Sequence, residues 1–268
     1  MNCIVVDIGN TSTVVGIAID RKVVRIRRVA TRTAHRVTIS RVVHRLARER
    51  RIDGAVISSV VPVATPAWRM ELARALGRNP LLVSHRLEFG LQVDYPAPST
   101  LGADRLVNVC GAVQRYGAPV VVADFGTAAT FDMVTRDGRF VGGVIAPGPM
   151  VMTEYLAERT ALLPKIRLGS RYGRVGRSTV GAMLIGTNVG YRGMVRAILD
   201  HVLQLRGLEG AKLCATGGWA GWVLKGLGSP FELAPDLTLF GLACVFELNS
   251  EKFANARPSF GSRDRRRA

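Results

Sequence analysis

Hydrophobic and polar positions along the chain follow two alternating patterns. Short runs of branched apolar residues bounded by Gly, Pro or Asn are typical of buried strands, whereas apolar positions spaced three and four apart are typical of amphipathic helices. The short runs predict strands at residues 3–7, 13–19, 54–61, 81–84, 118–134 (two strands around a turn), 140–148 and 212–216. The helical spacing predicts helices at residues 36–50, 66–76, 102–116, 149–162, 178–206, 219–226 and 237–248. This alternation of strands and helices predicts an α/β protein.

One arrangement of strand, acid, glycine turn and second strand occurs twice. It reads VVDIGNTST at 5–13 and VADFGTAAT at 122–130, which places the two acids 117 residues apart. A repeat of this kind predicts an internally duplicated fold with a cleft between two similar α/β halves. We place the halves at 1–117 and 118–256, and expect the aperiodic residues 257–268 to be a disordered tail.

Each acid–glycine turn is suited to holding phosphate groups. In the first, Gly9 and Asn10 allow a tight turn that points backbone N–H groups at an anion, and the hydroxyls of residues 11–13 add donors. Asp7 at the strand end suits Mg²⁺ held through water, because Mg²⁺ takes few protein ligands. An ordinary hairpin with a capping Asp explains one copy equally well. The second copy, at 124–130, favours two loops that clamp phosphates.

A third candidate element is the sequence Ala-Thr-Gly-Gly at 215–218, where a predicted strand ends and a helix begins. Adjacent glycines there allow a flat ring or sugar to approach the backbone, although TGG alone usually marks only a turn. After two phosphate loops, we expect it to contact adenosine. Gly-Lys never occurs and G-x-G-x-x-G is absent, so the sequence favours an actin-like nucleotide kinase over P-loop or Rossmann folds.

A candidate catalytic pair opens the predicted helix at 102–116. Asp104 near a helix N-terminus is stabilised as a carboxylate and is placed to accept the proton of an attacking hydroxyl during phosphoryl transfer. Arg105 beside it is suited to hold a carboxylate or to steady charge on the moving phosphoryl group. Spacing alone more often indicates an ordinary helix-terminal acid with a charged neighbour, so this assignment needs further support.

The formal net charge of +17 is concentrated in two segments. Residues 21–51 hold twelve basic residues and one acid, a net +11, and residues 257–268 hold five and one, a net +4. The other 225 residues are close to neutral, at about +2. Such a charge first suggests a polyanionic partner, but residues 21–51 contain no Phe, Tyr or Trp for base stacking. We expect no specific nucleic-acid partner, only attraction that fades with salt, and expect both segments to lie away from the catalytic elements.

Composition and the N-terminal sequence exclude several further classes. Hydrophobic residues make up 48%, which excludes global disorder. No apolar run approaches the roughly 18 residues of a membrane span, and MNCIVVDIGNT lacks the features of a secretory signal. The four cysteines form no C-x-x-C pair, and each lies in an apolar stretch: Cys3, Cys110, Cys214 and Cys244. They predict packed, reduced thiols in a cytoplasmic protein. The four histidines have no metal-ligand spacing.

Eight short motifs occur in one order over roughly residues 1–248. They are D-I-G-N-T (7–11), S-S-V-V-P (58–62), Y-x-x-P-x-x-x-G-A-D-R (95–105), D-F-G-T-A-x-T (124–130), G-G-V-I-A-P-G (142–148), T-A-L-L-P (160–164), G-R-S-T (176–179) and T-G-G (216–218). This combination resembles the type III pantothenate kinases of the acetate and sugar kinase/Hsc70/actin superfamily. Ala129 stands where this family often has Thr, and Ala97 where Asn is frequent, which leaves the effect of both positions on turnover open.

The resemblance implies a duplicated ribonuclease H-like (actin-like ATPase) fold, with two α/β halves around a nucleotide cleft. It also implies transfer of the γ-phosphoryl group of ATP to the primary hydroxyl of pantothenate, the first step of coenzyme A biosynthesis. The implied cofactors are ATP, Mg²⁺ and a monovalent cation, K⁺ or NH₄⁺, and the implied assembly is a homodimer whose interface completes the acceptor pocket. Two alternatives remain open, a kinase for another small hydroxy acid or sugar and a non-catalytic accessory protein associated with nucleic acid.

The same resemblance assigns roles to individual residues. The ATP phosphate loop consists of Asp7, Ile8, Gly9, Asn10, Thr11, Ser12, Thr13 and Val14, and Thr127 touches the nucleotide. The pantothenate pocket is lined by Tyr95, Gly102, Ala103, Asp104, Arg105 and Thr179. Asp104 is the general base. Asp124 binds the monovalent cation, a role that only the resemblance supports, since the glycine turn alone suggests a phosphate-loop or Mg²⁺ acid.

Overall fold

A computed structural model describes residues 1–49, 51–228 and 230–251, with the side chain of Glu49 left out. The predicted tail at 257–268 lies outside the described residues. By its contacts the chain divides into two compact units, one formed by residues 1–88 with the chain from Leu242 onward, the other by Phe89–Gly241. The boundary predicted at residues 117 and 118 follows the sequence repeat, whereas contacts assign the helix before it, Ala103–Tyr116, to the second unit, where it packs against the strands after it.

The first unit contains a five-stranded sheet with two helices. Its strands are β1 (Asn2–Ile8), β2 (Ser12–Ile19), β3 (Lys22–Ala30), β4 (Gly54–Ser59) and β5 (Leu81–Leu82), and its helices are α1 (Arg36–Glu49) and α2 (Thr65–Leu76). The sheet order is β3-β2-β1-β4-β5. The first three strands pair antiparallel, while β1, β4 and β5 run parallel. The antiparallel pairing of β1 with β2 agrees with the strands predicted on either side of the first glycine turn.

The core of the first unit lies where α1 and α2 cover the sheet. Ile39, Val43 and Leu46 on α1 are buried at the predicted three- and four-residue spacing. They pack with Trp68 of α2 and with the inward side chains of the strands. The amphipathic pattern therefore positions α1 with its arginine-rich face outward.

Strand β3 was not predicted from the sequence. It joins β2 through a two-residue turn, Asp20–Arg21, in which both residues have positive φ although neither is glycine. The N-terminal ammonium contacts Asp20 at 2.8 Å, and Arg21 pairs with Glu247 at 2.7 Å, so ion pairs stabilise a turn that lacks the usual glycine signal. The strand itself is largely exposed and arginine-rich, which hides its strand character.

The second unit contains a six-stranded sheet. Its strands are β6 (Gln92–Val93), β7 (Val120–Phe125), β8 (Ala128–Val134), β9 (Arg139–Pro147), β10 (Lys212–Thr216) and β11 (Glu232–Leu233). Its helices are α3 (Ala103–Tyr116), α4 (Pro149–Arg159), α5 (Thr179–Val202) and α6 (Ala220–Leu224), and α7 (Leu237–Leu248) begins in this unit. Phe125 and Phe131 meet edge to face at 5.8 Å and are buried with Tyr191 and Val195 of α5.

The two sheets share one topology. The second sheet runs β11-β10-β7-β8-β9-β6, so its strands β9-β8-β7-β10-β11 repeat the order and directions of β3-β2-β1-β4-β5. This confirms the predicted α/β class and the duplicated ribonuclease H-like fold.

Several predicted elements end earlier than expected. Helix α4 ends at Arg159 because the Thr160 hydroxyl donates to the Leu156 carbonyl and accepts from the Leu163 amide. Helix α5 ends at Val202, before a turn that includes Gly207 at φ +93°. The strand predicted at 81–84 is reduced to Leu81–Leu82. No helix in the described part of the chain is both long and apolar enough for a bilayer crossing.

Candidate active site

The first glycine turn joins β1 to β2. Asp7 is half-buried near the end of β1, and the Gly9 amide donates to the Ser12 carbonyl at 3.2 Å. Asn10 and Thr11 form the exposed tip of the loop, and the Asn10 amide makes no backbone hydrogen bond to a described residue. The tip therefore presents a backbone N–H donor, as the phosphate-loop prediction requires.

The side chain of Thr13, expected among the ligand donors, forms a hydrogen bond that stabilises the loop. It is fully buried, and its hydroxyl lies 3.0 Å from the hydroxyl of Thr31. Thr31 donates to the Gly9 carbonyl at 2.7 Å, so Thr13 is the donor to Thr31. No motif pointed to Thr31, which follows the unpredicted strand β3 and lies in the basic segment 21–51. The expectation that this segment lies away from the catalytic elements is therefore wrong, since Arg28 of the same segment also donates to the Ser12 hydroxyl at 3.2 Å.

The second glycine turn is one residue shorter. Between β7 and β8 it consists of Gly126 and Thr127, and the Gly126 amide donates to the Ala128 carbonyl at 2.9 Å. The Gly148 amide donates to the Thr127 carbonyl at 3.0 Å, and a Cβ at Gly148 would collide with the carbonyl oxygens of Gly126 and Thr127. Glycine at 148 therefore allows the end of β9 to support this loop.

Asp7 and Asp124 occupy equivalent positions in their own sheets. Asp7 lies opposite Val14 on β2 and Ser58 on β4. Asp124 lies opposite Thr130 on β8 and Thr216 on β10. The sequence repeat therefore corresponds to the same strand position in each of the two sheets.

Ser58 and Ser59 end β4, and Ser59 stabilises the turn into α2. The Ser59 hydroxyl accepts from the Val61 amide at 3.1 Å and from the Thr65 hydroxyl at 2.7 Å. Both contacts hold the chain where the helix begins. Ser59 therefore has a structural role at this turn.

The TGG turn packs directly on the Asp124 loop. Gly217 has φ +92°, and a Cβ there would collide with Asp124 Oδ1 and lie 2.6 Å from the backbone of Phe125. The Trp219 amide donates to the Phe125 carbonyl at 3.0 Å. Only glycine satisfies both the backbone conformation and the space at 217.

Asp104 is the first acid of α3, and Gly102 makes room for it. A Cβ at Gly102 would lie 2.5 Å from Asp104 Oδ1. The carboxylate accepts from the Arg105 backbone amide at 2.8 Å. Burial raises the pKa of Asp104 above its ordinary value, and that hydrogen bond opposes the rise. A carboxylate with a raised pKa is a stronger base than an exposed one once deprotonated.

Asp124 is held by a chain of polar side chains that the sequence did not indicate. Asn108 of α3 donates to Asp124 Oδ2 at 2.9 Å and accepts from Thr238 at 2.8 Å. Burial raises the pKa of Asp124 to about 6, the Asn108 hydrogen bond opposes the rise, and the charges of Asp104 and Asp132 add to it. Asp124 is therefore a carboxylate whose negative charge is poorly compensated.

Arg105 forms a buried ion pair with Asp132 of β8. Its Nε and Nη2 donate to Asp132 Oδ1 at 2.8 and 2.6 Å. Burial lowers the pKa of Arg105, but the hydrogen bonds and charge of Asp132 outweigh that effect and raise it. Sequence reasoning missed Asp132. The available signal was an acid inside the apolar strand ATFDMV, which must have a buried partner.

The side chain of Tyr95 packs against strand β9. Its ring stacks on Phe140 of β9 with centroids 6.4 Å apart. Gly142, at φ +111°, brings the backbone so close that a Cβ would lie 3.4 Å from the Tyr95 ring. Gly142 therefore leaves room for the Tyr95 ring, and Gly143 leaves room for the Arg105–Asp132 pair.

The second unit brings together most of the residues predicted for acceptor and cation binding. These residues are Tyr95, Gly102, Asp104, Arg105 and Asp124. The structure adds Asn108 and Asp132 to them. Thr179 lies at the exposed start of α5, and no hydrogen bond joins it to Asp104 or Arg105 among the described residues. The loop at 7–14 belongs to the first unit.

The cysteines agree with their predicted role as packed thiols. All four cysteines are buried free thiols, and burial raises the pKa of Cys3 and of Cys214 to about 12. In the part of the chain that the structure describes, no three His, Cys, Asp or Glu side chains are grouped so as to hold a metal ion.

Comparisons with known proteins identify the family. The family model described as type III pantothenate kinase matches residues 3–201. The type III pantothenate kinase of Geobacillus thermodenitrificans is 34% identical over 92% of this chain and 98% of its own, and that of Roseiflexus sp. is 35% identical over 91% and 98%.

Solved structures agree with the fold. A ROK family glucokinase from Streptomyces griseus in complex with glucose and AMPPNP has a TM-score of 0.54 at 14% identity, covering 91% of this chain and 98% of that one. Component A of (R)-2-hydroxyglutaryl-CoA dehydratase from Acidaminococcus fermentans also has a TM-score of 0.54 at 14% identity, covering 95% and 100%. These likenesses show the actin-like fold, and the sequence matches show that the chain belongs to the type III pantothenate kinase family.

Proposed function

We propose that this chain phosphorylates pantothenate at its primary hydroxyl with ATP, giving 4'-phosphopantothenate. Family membership supports the reaction. The observation that carries the proposal is the pair of neighbours at the start of α3, a half-buried carboxylate with a raised pKa at Asp104 beside a buried guanidinium at Arg105. The Asp104 carboxylate is suited to accept the proton of a hydroxyl, and the Arg105 guanidinium is suited to bind a carboxylate. Pantothenate carries both of these groups.

Asp104 acts as the general base. As the acceptor oxygen bonds to the γ-phosphorus, the bond between that phosphorus and the bridging oxygen of ADP breaks and the hydroxyl proton passes to the Asp104 carboxylate. Phosphoryl transfer requires mostly positioning and charge stabilisation, so one well-placed carboxylate is sufficient for the proton. The raised pKa of Asp104 supports this role, because a stronger base accepts the hydroxyl proton more readily.

Nucleotide binding is proposed at the glycine turns. The loop at 7–14 and Thr127 receive the phosphates of ATP, and the TGG turn at 216–218 contacts adenosine. The exposed Asn10 tip and the Gly217 backbone support this division. Mg²⁺, held by Asp7 through water, supplies charge neutralisation on the phosphates.

The monovalent cation site is proposed at Asp124. Oδ2 of this carboxylate accepts a hydrogen bond from Asn108, while desolvation and the charges of Asp104 and Asp132 raise its pKa to about 6. K⁺ and NH₄⁺ accept a carboxylate with carbonyl oxygens in loose geometry. The Asp124 carboxylate therefore suits such an ion.

We propose a homodimer in which Thr179 of one protomer completes the acceptor pocket of the other. Helices α4 and α5 expose apolar side chains that support a buried interface: Val151, Tyr155, Leu156, Val180 and Val189. Light scattering after gel filtration tests this, with a mass of about twice 29.0 kDa expected and a mass near 29.0 kDa contradicting it. The buried free thiols support a reducing compartment, the cytoplasm.

Product identification tests the proposed substrate. The protein is incubated with Mg-ATP and K⁺ together with pantothenate, glucose or glycerate, and the products are identified by mass spectrometry. Phosphopantothenate alone is the expected product. Phosphorylation of the sugar or of glycerate in preference to pantothenate would contradict the assignment.

A further inference from the structure

We propose that Asp132 is a positioning residue that determines acceptor specificity, by fixing the Arg105 guanidinium in the orientation that receives the carboxylate of the substrate. This inference rests on the proposed function and extends it to a residue that the motifs did not single out.

Asp132 accepts hydrogen bonds from one edge of the Arg105 guanidinium, which leaves the other edge available to a ligand. Both Nε and Nη2 of Arg105 donate to Asp132 Oδ1, at 2.8 and 2.6 Å. Nη1 makes no hydrogen bond to any residue in the described ranges. The planar fork of arginine is suited to this division, since one side can be anchored while the other binds an anion.

The pair is confined on its other sides. The Asp132 side chain is 1% exposed and that of Arg105 is 10% exposed. The guanidinium carbon of Arg105 lies 5.9 Å from the centroid of the Phe140 ring. A Cβ at Gly143 would lie 2.6 Å from Arg105 Nη2 and 2.7 Å from Asp132 Oδ1. Glycine at 143 therefore leaves the space that the ion pair occupies.

A fixed partner is needed because other carboxylates compete for the arginine. Asp104 also acts electrostatically on Arg105, since its charge contributes to raising the arginine pKa. If Arg105 turned to pair with Asp104, it would neutralise the general base and leave the acceptor carboxylate without a partner. Asp132, on the rigid strand β8, prevents this by holding the guanidinium with two hydrogen bonds.

Burying the anion of Asp132 is costly unless it is paired. Oδ2 of Asp132 has no hydrogen-bond partner among the described residues, and Arg105, acting through Oδ1, stabilises this carboxylate more than its other neighbour, the Thr130 hydroxyl, does. A buried ion pair of this kind fixes the orientation of the guanidinium more than it raises the stability of the fold. We therefore assign it to recognition of an anionic acceptor.

The test compares two acceptors that differ only at the carboxylate. Pantothenol carries a hydroxymethyl group in place of the pantothenate carboxylate and keeps the primary hydroxyl that is phosphorylated. In Asp132→Asn, the amide oxygen can still accept from Arg105, but the negative charge that anchors the guanidinium is lost. We expect KM for pantothenate to rise about tenfold to a hundredfold, because the ion pair becomes a weaker hydrogen bond to a neutral acceptor. KM for pantothenol should stay within about twofold of the parent value.

Asp137→Asn is the matched control. Asp137 pairs with Arg139 at 2.6 Å at the turn between β8 and β9, but there the pair is exposed. The same substitution at 137 should leave both KM values unchanged. KM does not depend on the concentration of active enzyme, so partial unfolding of a variant does not mimic the expected effect.

The outcomes separate this inference from the proposed function. A parent protein that phosphorylates neither acceptor contradicts the proposed function itself. A parent that is active, with Asp132→Asn raising both KM values equally or neither, overturns the role of Asp132. If Asp132→Asn gives no folded protein, Asp132→Glu decides in the same way, because it keeps the charge but displaces the carboxylate and must still raise the pantothenate KM selectively.

Discussion

The side-chain amide of Asn108 donates a 2.9 Å hydrogen bond to Asp124 Oδ2, and this bond opposes the larger effect of desolvation, which raises the pKa of that carboxyl. Helix α3 thus supplies the proposed base, Asp104, on its first turn and the partner of the proposed cation ligand one turn later. The acceptor side and the cation side of the site are therefore positioned by the same helix.

Removing the Asn108 amide should shift the pH dependence of the enzyme. In Asn108→Ala, the pKa of Asp124 rises further above about 6, by roughly one unit. Asp124 is then protonated over more of the acidic range, so the acidic limb of kcat/KM moves to higher pH. Thr238→Val, which removes only the 2.8 Å bond to Asn108, is the control and should shift the limb less. Identical profiles in parent and Asn108→Ala would contradict the role of this contact.

Asp104→Asn should lower kcat by about 10²–10⁴-fold while KM for ATP changes little, because general-base catalysis contributes about that factor. Since the pKa of Asp104 is raised, parent activity should increase as the pH rises through that pKa and the base loses its proton. The Asn variant should lose that limb of the profile. An unchanged kcat would exclude Asp104 as the base.

Two glycine substitutions separate backbone strain from steric collision at the TGG turn. Gly217→Ala places a methyl group against Asp124 Oδ1 and the Phe125 backbone at φ +92°, whereas Gly210→Ala, at φ +70°, enters open space. We expect Gly210→Ala to cost about 1–2 kcal/mol of unfolding free energy and Gly217→Ala at least about 1–3 kcal/mol more. Urea unfolding measures both. Equal losses would mean that the turn does not pack on the Asp124 loop.

Potassium should stabilise the protein more at high pH than at low pH. The pKa of Asp124 in the folded protein, about 6, lies above its usual value of 3.8, so the folded state binds the proton more tightly than the unfolded state. Stability from this group is therefore present at low pH and is lost as the pH rises through about 6. A cation at the deprotonated carboxylate restores it.

The measurement compares melting temperatures in KCl and in tetramethylammonium chloride at equal ionic strength. The difference should be small near pH 5 and larger near pH 8, since binding to the folded state alone raises stability. Asp124→Asn should abolish the difference at both pH values. A potassium effect that persists in this variant would place the cation elsewhere.

The sequence predicted the parts of the fold and site that depend on local pattern. Asp7 and Asp124 each follow an apolar run and precede a glycine turn, so their equivalent positions in two sheets were visible as a repeat. The helix at 103–116 and its Gly-Ala-Asp-Arg start were visible from apolar spacing and composition.

The missing parts depend on contacts between distant segments. Strand β3 begins after a turn in which Asp20 and Arg21 take positive φ without glycine, stabilised by ion pairs that no local pattern encodes. Asp132 and Asn108 read as single polar residues inside apolar elements, and their partners lie 27 and 16 residues away. The sequence shows only that each of these polar groups must have a partner, and the fold shows which residue the partner is.

ADP release measured with and without pantothenate tests the central claim most directly. Purified protein in Mg-ATP and K⁺ should release ADP only when pantothenate is present, and Asp104→Asn should lose most of that release while Asp137→Asn keeps it. Equal ADP release without pantothenate, or full activity in Asp104→Asn, would contradict the account.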